Sequence, residues 1–141
     1  AAMTMLMTYP GVPSVFMGDE LGFEGKSGED ARRTINWEDR SKWDSNFFAE
    51  VKKLAKLRRT DDAFINGGLR WVAAEDNYLA YLRESKKSKV LVVIAAKPCT
   101  VDIDLSKIGY KVSKTLYGQK AAGTKIKFKT NGATQGVWKL S

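Results

Sequence analysis

Seven short β-forming runs follow the tripeptide Asn66-Gly67-Gly68 and restrict the fold of this chain more than any other feature. Turn residues such as Asp76-Asn77 and Lys86-Lys87-Ser88 separate neighbouring runs, which predicts antiparallel strands joined by tight turns. Short strands at this spacing are typical of a small β-sandwich. The runs are 69–74, 77–84, 89–96, 99–105, 112–117, 124–129 and 136–140. The side chains predicted to form the core are Trp71, Tyr78, Tyr81, Val92, Ile94, Ile126, Phe128 and Trp138.

The chain before Gly67 has the pattern of one β/α unit. Residues 1–8 are predicted to end a helix, because Pro10 and Gly11 interrupt the pattern after them. Residues 12–17 are a short apolar run, which favours a strand buried on both faces as in a parallel sheet. A single β/α unit leaves both strand edges unpaired, so the chain is expected to be the tail of something larger.

A long polar loop and an amphipathic helix complete this first part. Residues 18–45 are rich in Gly, Asp, Glu and Ser, and a loop of this length in a compact protein is usually functional or disordered. In residues 46–59 apolar side chains recur at helical spacing, which predicts a helix capped by Ser45 or Asn46. The predicted division is therefore an α/β part over 1–66 and an antiparallel sandwich over 67–141.

The composition excludes several classes of function. The chain has no histidine, which excludes a Ser-His-Asp or Cys-His centre and a His-ligated metal site. We expect no metal and no cofactor. Cys99 is the only cysteine, so no intrachain disulfide forms, and the compartment stays open with the cytoplasm slightly favoured. Residues 1–8 are too short to span a bilayer and lack a basic leader region, so no membrane partner is expected.

The formal net charge of +8 raises the question of nucleic-acid binding. The basic residues are spread over a helix, a turn and a strand, and Lys125, Lys127 and Lys129 alternate as they do on a solvated strand face. We therefore expect no nucleic-acid partner. A basic nucleic-acid-binding module is kept as an alternative, which rests on the total charge alone.

Three segments carry a resemblance to a known family. Residues 10–22, PGVPSVFMGDELG, closely resemble the eighth barrel strand and following loop of the α-amylase superfamily, glycoside hydrolase family thirteen. Residues 32–37, RRTINW, resemble the Arg-Arg-x-x-x-Trp segment of its neopullulanase, cyclomaltodextrinase and α-glucosidase branches. Residues 54–59 look like the end of the eighth barrel helix, and 67–141 are similar in pattern to the family's C-terminal sandwich. The resemblance implies an α+β chain, the remnant of a (β/α)8 barrel followed by an antiparallel β-sandwich.

The resemblance also implies an activity for the parent protein and none for this chain. The family hydrolyses α-glucans or maltooligosaccharides with a retaining mechanism that needs three carboxylates. Those carboxylates lie on earlier barrel strands, and the last belongs to a His-Asp motif that a chain without histidine lacks. We assign no catalytic residue here. Asp19 and Glu20 are interpreted as structural, the first bonding loop amides and the second orienting a neighbour.

Substrate binding is predicted for Arg32, Arg33 and Trp37. The arginines suit hydrogen bonding to sugar hydroxyls on the loop side of a barrel, and Arg32 is preferred. The indole ring of Trp37 suits stacking on a sugar face. Two structural alternatives stay open: the arginines pair with Glu29 or Asp30, and Trp37 anchors the loop.

Two further expectations concern partners. An independent carbohydrate-binding sandwich is the alternative function, and it would require a row of exposed aromatic side chains on one sheet face. The apolar segments 1–8 and 12–17 must also find cover, either by folding onto the sandwich or by self-association. We expect self-association of the chain or disorder of its N-terminal segment.

Overall fold

The computed structural model describes residues 1–141 and contains seven strands, as the sequence predicts. The strands are β1 (Gly68–Ala74), β2 (Tyr78–Glu84), β3 (Lys89–Ala95), β4 (Cys99–Asp104), β5 (Val112–Gly118), β6 (Lys125–Thr130) and β7 (Thr134–Leu140). They form a five-stranded sheet in the order β1-β2-β3-β7-β5 and a two-stranded sheet of β4 and β6. All neighbouring strands are antiparallel, which confirms the predicted sandwich.

Three α-helices and two 3-10 turns complete the chain. The helices are α1 (Ala2–Thr8), α2 (Ser45–Thr60) and α3 (Asp62–Asn66), and the turns are Asp19–Leu21 and Leu105–Ile108. The N-cap of α2 is Asp44 rather than Ser45 or Asn46, because its carboxylate accepts the Phe47 amide proton at 2.8 Å. The helix α2 extends one residue beyond the predicted range 46–59 at each end.

The main core lies between the two sheets. Alternate side chains of β2 and β3 point towards the smaller sheet, where they meet Val101, Ile103 and Ile126 around Trp138. Of the predicted core, Tyr81, Val92, Ile94, Ile126 and Trp138 are buried, and Tyr78 and Phe128 are half-buried against the core.

The helices cover the other face of the five-stranded sheet. Tyr81, Val92 and Val137 point to this side and pack against Ala63 and Phe64 of α3. The central strand β3 is therefore buried on both faces, which explains its continuous apolar sequence VLVVIA in place of an alternating one.

The prediction that Trp71 belongs to the core is wrong. It lies on β1, the edge strand, and its side chain is 47% exposed. Its ring contacts Tyr81 edge to face at a centroid distance of 5.6 Å. Alternation along a strand cannot reveal that the strand lies at the edge of its sheet, so the sequence overestimates the burial of this residue.

Residues 12–17 do not form the predicted strand. They run without strand pairing, and Val12 is 94% exposed. A strand of parallel type needs neighbours on both sides, and no other part of the chain supplies them. Phe16 and Met17 are also largely exposed. The barrel origin of residues 1–66 stays a prediction.

α1, by contrast, is covered. Thr4, Met7 and Thr8 are buried, and Met7 packs against Val51 and Leu54 of α2. The guanidinium of Arg58 donates to the carbonyls of Tyr9 and Gly11, which fixes the chain leaving the helix. Residues 1–8 thus fold onto α2 and the larger sheet, so the expected disorder of the N-terminal segment is wrong, and self-association stays a prediction.

A buried arginine joins these helices to the sheet. Arg83 of β2 is 2% exposed, and no carboxylate pairs with it. Burial lowers its pKa, with Arg58 adding to the effect, yet a guanidinium stays protonated. Its acceptors are the carbonyls of Thr8 (2.6 Å), Phe64 (3.3 Å), Gly67 (2.7 Å) and Gly68 (3.2 Å). One side chain therefore holds the ends of α1 and α3 against the start of β1.

A second polar cluster ties α3 to the sandwich. The carboxylate of Asp61 accepts from Lys139 at 2.8 Å, from the Ser88 hydroxyl, and from the Ala63 amide at 3.0 Å. Partial burial opposes ionisation of Asp61, but the hydrogen bonds from Lys139 and Ser88 outweigh it and lower its pKa.

Replacing Asp61 by Asn is expected to lower the free energy of unfolding by about 1–2 kcal/mol at pH 7. Because the folded-state pKa is depressed, the contribution of Asp61 is complete above about pH 4 and is lost as the pH falls through the folded-state value. Urea unfolding at pH 7 and at pH 3 should therefore show a smaller difference between the two proteins in acid. Asp102→Asn, in an exposed pair with Lys127, is the matched control and should change stability by less than about 0.5 kcal/mol. An Asp61→Asn deficit that stays constant between these pH values would contradict the assignment.

Candidate functional site

The loop 22–44 is closed at its base. The amide of Asp44 donates to the carbonyl of Leu21 at 2.9 Å, so the two ends of the loop meet. Gly18 and Gly22 flank the 3-10 turn before it with φ values of 100° and 75°, which favour glycine over any other residue. The loop is thus a defined surface unit, and it contains all three predicted binding residues.

Arg33 is held within the loop. Its Nη2 donates to both carboxylate oxygens of Asp30 at 2.7 Å, and its Nε donates to the Asp30 carbonyl at 2.9 Å. The Lys26 amide, and then Arg33, hold the pKa of Asp30 below its ordinary value. Arg32 meets Glu29 only at 3.8 Å, and both side chains are exposed. Arg33 therefore stabilises the loop, whereas the guanidinium of Arg32 is available to a ligand.

Trp37 lies at the outer end of an aromatic chain. Trp37 is 64% exposed, and its ring packs edge to face with that of Trp43 at 5.6 Å between centroids. Trp43 contacts Phe48 of α2 at 5.9 Å, and Arg40 lies 4.9 Å above its ring. Trp43 is thus the loop anchor, and Trp37 keeps an exposed aromatic face.

A cavity of about 400 Å³ opens between the two halves of the loop. Its lining residues are Gly22, Phe23, Glu24, Arg33, Thr34, Asn36, Asp39, Lys42 and Trp43. Of the three predicted binding residues, only Arg33 lines it; Arg32 lies outside it, and Trp37 is connected to it through Trp43. The sequence analysis missed Trp43, and its position just before the α2 N-cap is the one signal that marks it as an anchor.

The expectation that Asp19 bonds loop amides is wrong, because Glu20 makes that contact instead. The carboxylate of Glu20 accepts the Gly18 amide proton at 3.0 Å, whereas the Asp19 side chain forms no hydrogen bond. Glu20 therefore stabilises the turn that leads into the loop.

Two features of the remaining surface concern the alternative functions. Lys125 and Lys127 of β6 lie opposite Asp104 and Asp102 across the small sheet, and Lys127 forms an exposed ion pair with Asp102 at 2.9 Å, whereas Lys129 lies opposite Thr100. Trp71 is the only largely exposed aromatic residue of the sandwich, and a single ring is not the row that the alternative carbohydrate module requires. None of the helices combines the length and the apolar character needed to cross a bilayer. No group of three or more His, Cys, Asp or Glu side chains is arranged to bind a metal ion.

Comparison with known proteins finds relatives by sequence, although no family model matches the chain. The chain is 34% identical over 95 residues to a cyclomaltodextrinase from a Bacillus species, covering 66% of this chain and 17% of that protein. It is 33% identical over 95 residues to neopullulanase 2 of Thermoactinomyces vulgaris, covering 66% of this chain and 16% of that protein. The chain therefore spans about one sixth of the length of these relatives.

Solved structures share the fold over almost the whole chain. The trehalulose synthase MutB from Pseudomonas mesoacidophila superposes with a TM-score of 0.78, covering 99% of this chain and 37% of that chain at 17% identity. The similarity includes the N-terminal helices as well as the sandwich, so their arrangement against the sheet also occurs in a larger protein.

Proposed function

The chain belongs to the α-amylase family, and on this premise we propose that it is the C-terminal portion of a parent glycoside hydrolase. The parent acts on α-glucans or maltooligosaccharides by a retaining mechanism, and this portion of it lacks the catalytic carboxylates. The names of the relatives, cyclomaltodextrinase and neopullulanase, support that substrate class.

One structural observation supports the proposal that the sandwich stabilises the barrel. α1 and α2, which correspond to barrel elements in the proposed parent, pack on the larger sheet, and Arg83 binds the end of α1 directly. A sandwich held in this way stabilises the last unit of the barrel from outside. In the isolated chain, the exposed side chains of residues 12–17 are the proposed surface for self-association.

The loop 22–44 supplies the proposed substrate contacts. Arg32 has a guanidinium with only a weak exposed partner, and Trp37 has an exposed ring, so these two suit hydrogen bonding and stacking on a glucan. Arg33 contributes by holding the loop in shape through Asp30.

Hydrolysis of a chromogenic maltooligosaccharide tests the proposal. The 141-residue chain is expected to show no turnover, and the parent protein that contains it is expected to hydrolyse the substrate. Inactivity of the parent on all α-linked glucans would refute the proposed function. Turnover by the short chain that Asp19→Asn or Glu20→Gln abolishes would place catalytic carboxylates here and contradict it as well.

A further inference from the structure

Two asparagine–glycine pairs occur in the chain, and the structure holds them differently. Asn66-Gly67 ends α3, and Asn131-Gly132 lies in the turn between β6 and β7. Such a pair is chemically reactive, because the main-chain nitrogen of the glycine can attack the side-chain carbonyl of the asparagine. Glycine has no Cβ atom to hinder this approach. The other asparagines precede residues with large side chains, which hinder it: Trp37, Phe47 and Tyr78.

The pair at the end of α3 is held in place. The carboxamide nitrogen of Asn66 donates to the carboxylate of Asp62 at 2.7 Å, and the Gly67 amide donates to the Ala63 carbonyl at 3.1 Å. The Gly67 carbonyl accepts from Arg83 at 2.7 Å. A Cβ atom added at Gly67 would lie 2.2 Å from the Ala63 carbonyl oxygen, so main chain packs directly against this glycine. Both the attacking nitrogen and the side chain that it would attack are therefore fixed.

The pair between β6 and β7 is free to move. Asn131 is exposed, and its side chain forms no hydrogen bond. The Gly132 amide donates only to the neighbouring Thr130 hydroxyl, at 3.2 Å, and that hydroxyl donates to the Gly132 carbonyl. Residues 131–133 belong to neither strand, and a Cβ atom added at Gly132 would meet nothing within 4 Å. The turn can therefore bring the glycine nitrogen to the asparagine side chain without a clash.

We propose that Asn131 is a site of spontaneous deamidation and that the fold protects Asn66 from the same reaction. Hydroxide removes the Gly132 amide proton, and the nitrogen forms a bond to Cγ of Asn131. The bond from Cγ to the side-chain nitrogen breaks, and that nitrogen takes a proton from water and leaves as ammonia. Water then opens the succinimide ring at either carbonyl, which leaves aspartate or isoaspartate. Each event replaces a neutral side chain by a carboxylate, so the net charge falls below +8.

Incubation of the 141-residue chain at pH 8 and 37 °C tests the proposal. Samples are digested with pepsin in acid and analysed by liquid chromatography and mass spectrometry. Deamidation is expected at Asn131, as a mixture of aspartate and isoaspartate, and it should be faster at pH 8 than at pH 6 because hydroxide starts the reaction. Asn66 should deamidate at least about ten-fold more slowly, because two hydrogen bonds must break before its ring can close.

Two variants and an unfolded control separate the fold from the local sequence. Gly132→Ala should slow the reaction of Asn131 about ten-fold, because a methyl group restricts the main chain that must turn, while its Cβ atom meets no neighbour in the folded protein. Asp62→Ala removes the partner of Asn66 and should speed that reaction about two- to ten-fold, with Asn131 unchanged. In guanidinium chloride the rates of the two sites should converge.

Three results would overturn the inference. Equal rates at Asn66 and Asn131 in the folded chain would show that the end of α3 is not protected. An Asn131 that stays intact in the folded chain but reacts in guanidinium chloride would show that its turn is closed to the reaction. Rates that differ as much in guanidinium chloride as in buffer would show that the neighbouring sequence, and not the fold, selects the site.

Discussion

Replacing Arg83 by Met is expected to lower the free energy of unfolding by about 3–5 kcal/mol. Met fills a similar volume, but it leaves the buried carbonyls of Thr8 and Phe64, and the part-buried carbonyl of Gly67, without their donor. Burying a carbonyl without a hydrogen bond costs about 1–3 kcal/mol, so the penalties accumulate. Urea unfolding followed by circular dichroism measures the effect.

Two further variants identify the cause. Arg83→Lys keeps the charge, but one ammonium cannot span acceptors on three segments, so it should recover only part of the stability. Arg59→Met removes an exposed arginine of α2 that makes no hydrogen bond, and it should change stability by less than about 0.5 kcal/mol. Equal stability of Arg83→Met and the unaltered protein would show that the guanidinium does not hold the helices to the sheet.

Gly136→Ala is expected to destabilise the sandwich by about 3 kcal/mol. Gly136 lies in β7 opposite Val93 of β3 and Gly118 of β5, and the indole ring of Trp138 covers it. A Cβ atom added at this position would lie 2.1 Å from the ring of Trp138. Since Trp138 is fully buried between the sheets, the ring cannot move without opening the core. Thermal unfolding, followed by circular dichroism, measures the loss.

The control for this variant is another strand glycine. Gly68→Ala, on the edge strand β1, adds a Cβ atom that meets nothing within 4 Å, so stability should change little. Combining Gly136→Ala with Trp138→Leu should cost less than the sum of the two single changes, because the smaller side chain removes the overlap. Strict additivity would show that the ring is not the obstacle.

The strands of the sandwich could be predicted because the signals that mark them lie in short stretches of neighbouring residues. Alternation and turn residues located every strand to within two residues, as for β2 at Tyr78–Glu84 against the predicted 77–84. The helix α3 was not predicted, since its five residues are too few to show a helical period. The strand at 12–17 was wrong for a different reason. Its apolar composition is suited to pairing, and the pairing depends on strands that this chain does not contain.

The loop shows where prediction from sequence ends. The presence of Arg32, Arg33 and Trp37 in one loop followed from the motif, but the different surroundings of the two arginines did not. Arg33 is neutralised by Asp30, whereas Arg32 is nearly free, and only the backbone path of the loop decides this. The cavity was equally hidden, because its uncommitted side chains, such as Glu24 and Lys42, are 18 residues apart and belong to no motif.

The contacts of Thr8 have a consequence for synthesis on the ribosome. Its hydroxyl bonds to Tyr81 and its carbonyl to Arg83, partners that follow it by 73 and 75 residues. At a translation rate of about 5–20 residues per second, these partners are made about 4–15 seconds after the helix itself. Until these partners are made, the hydrogen bonds that hold Thr8 at the end of α1 cannot form. The end of α1 therefore reaches its final packing only after the second strand of the sandwich has emerged from the ribosome.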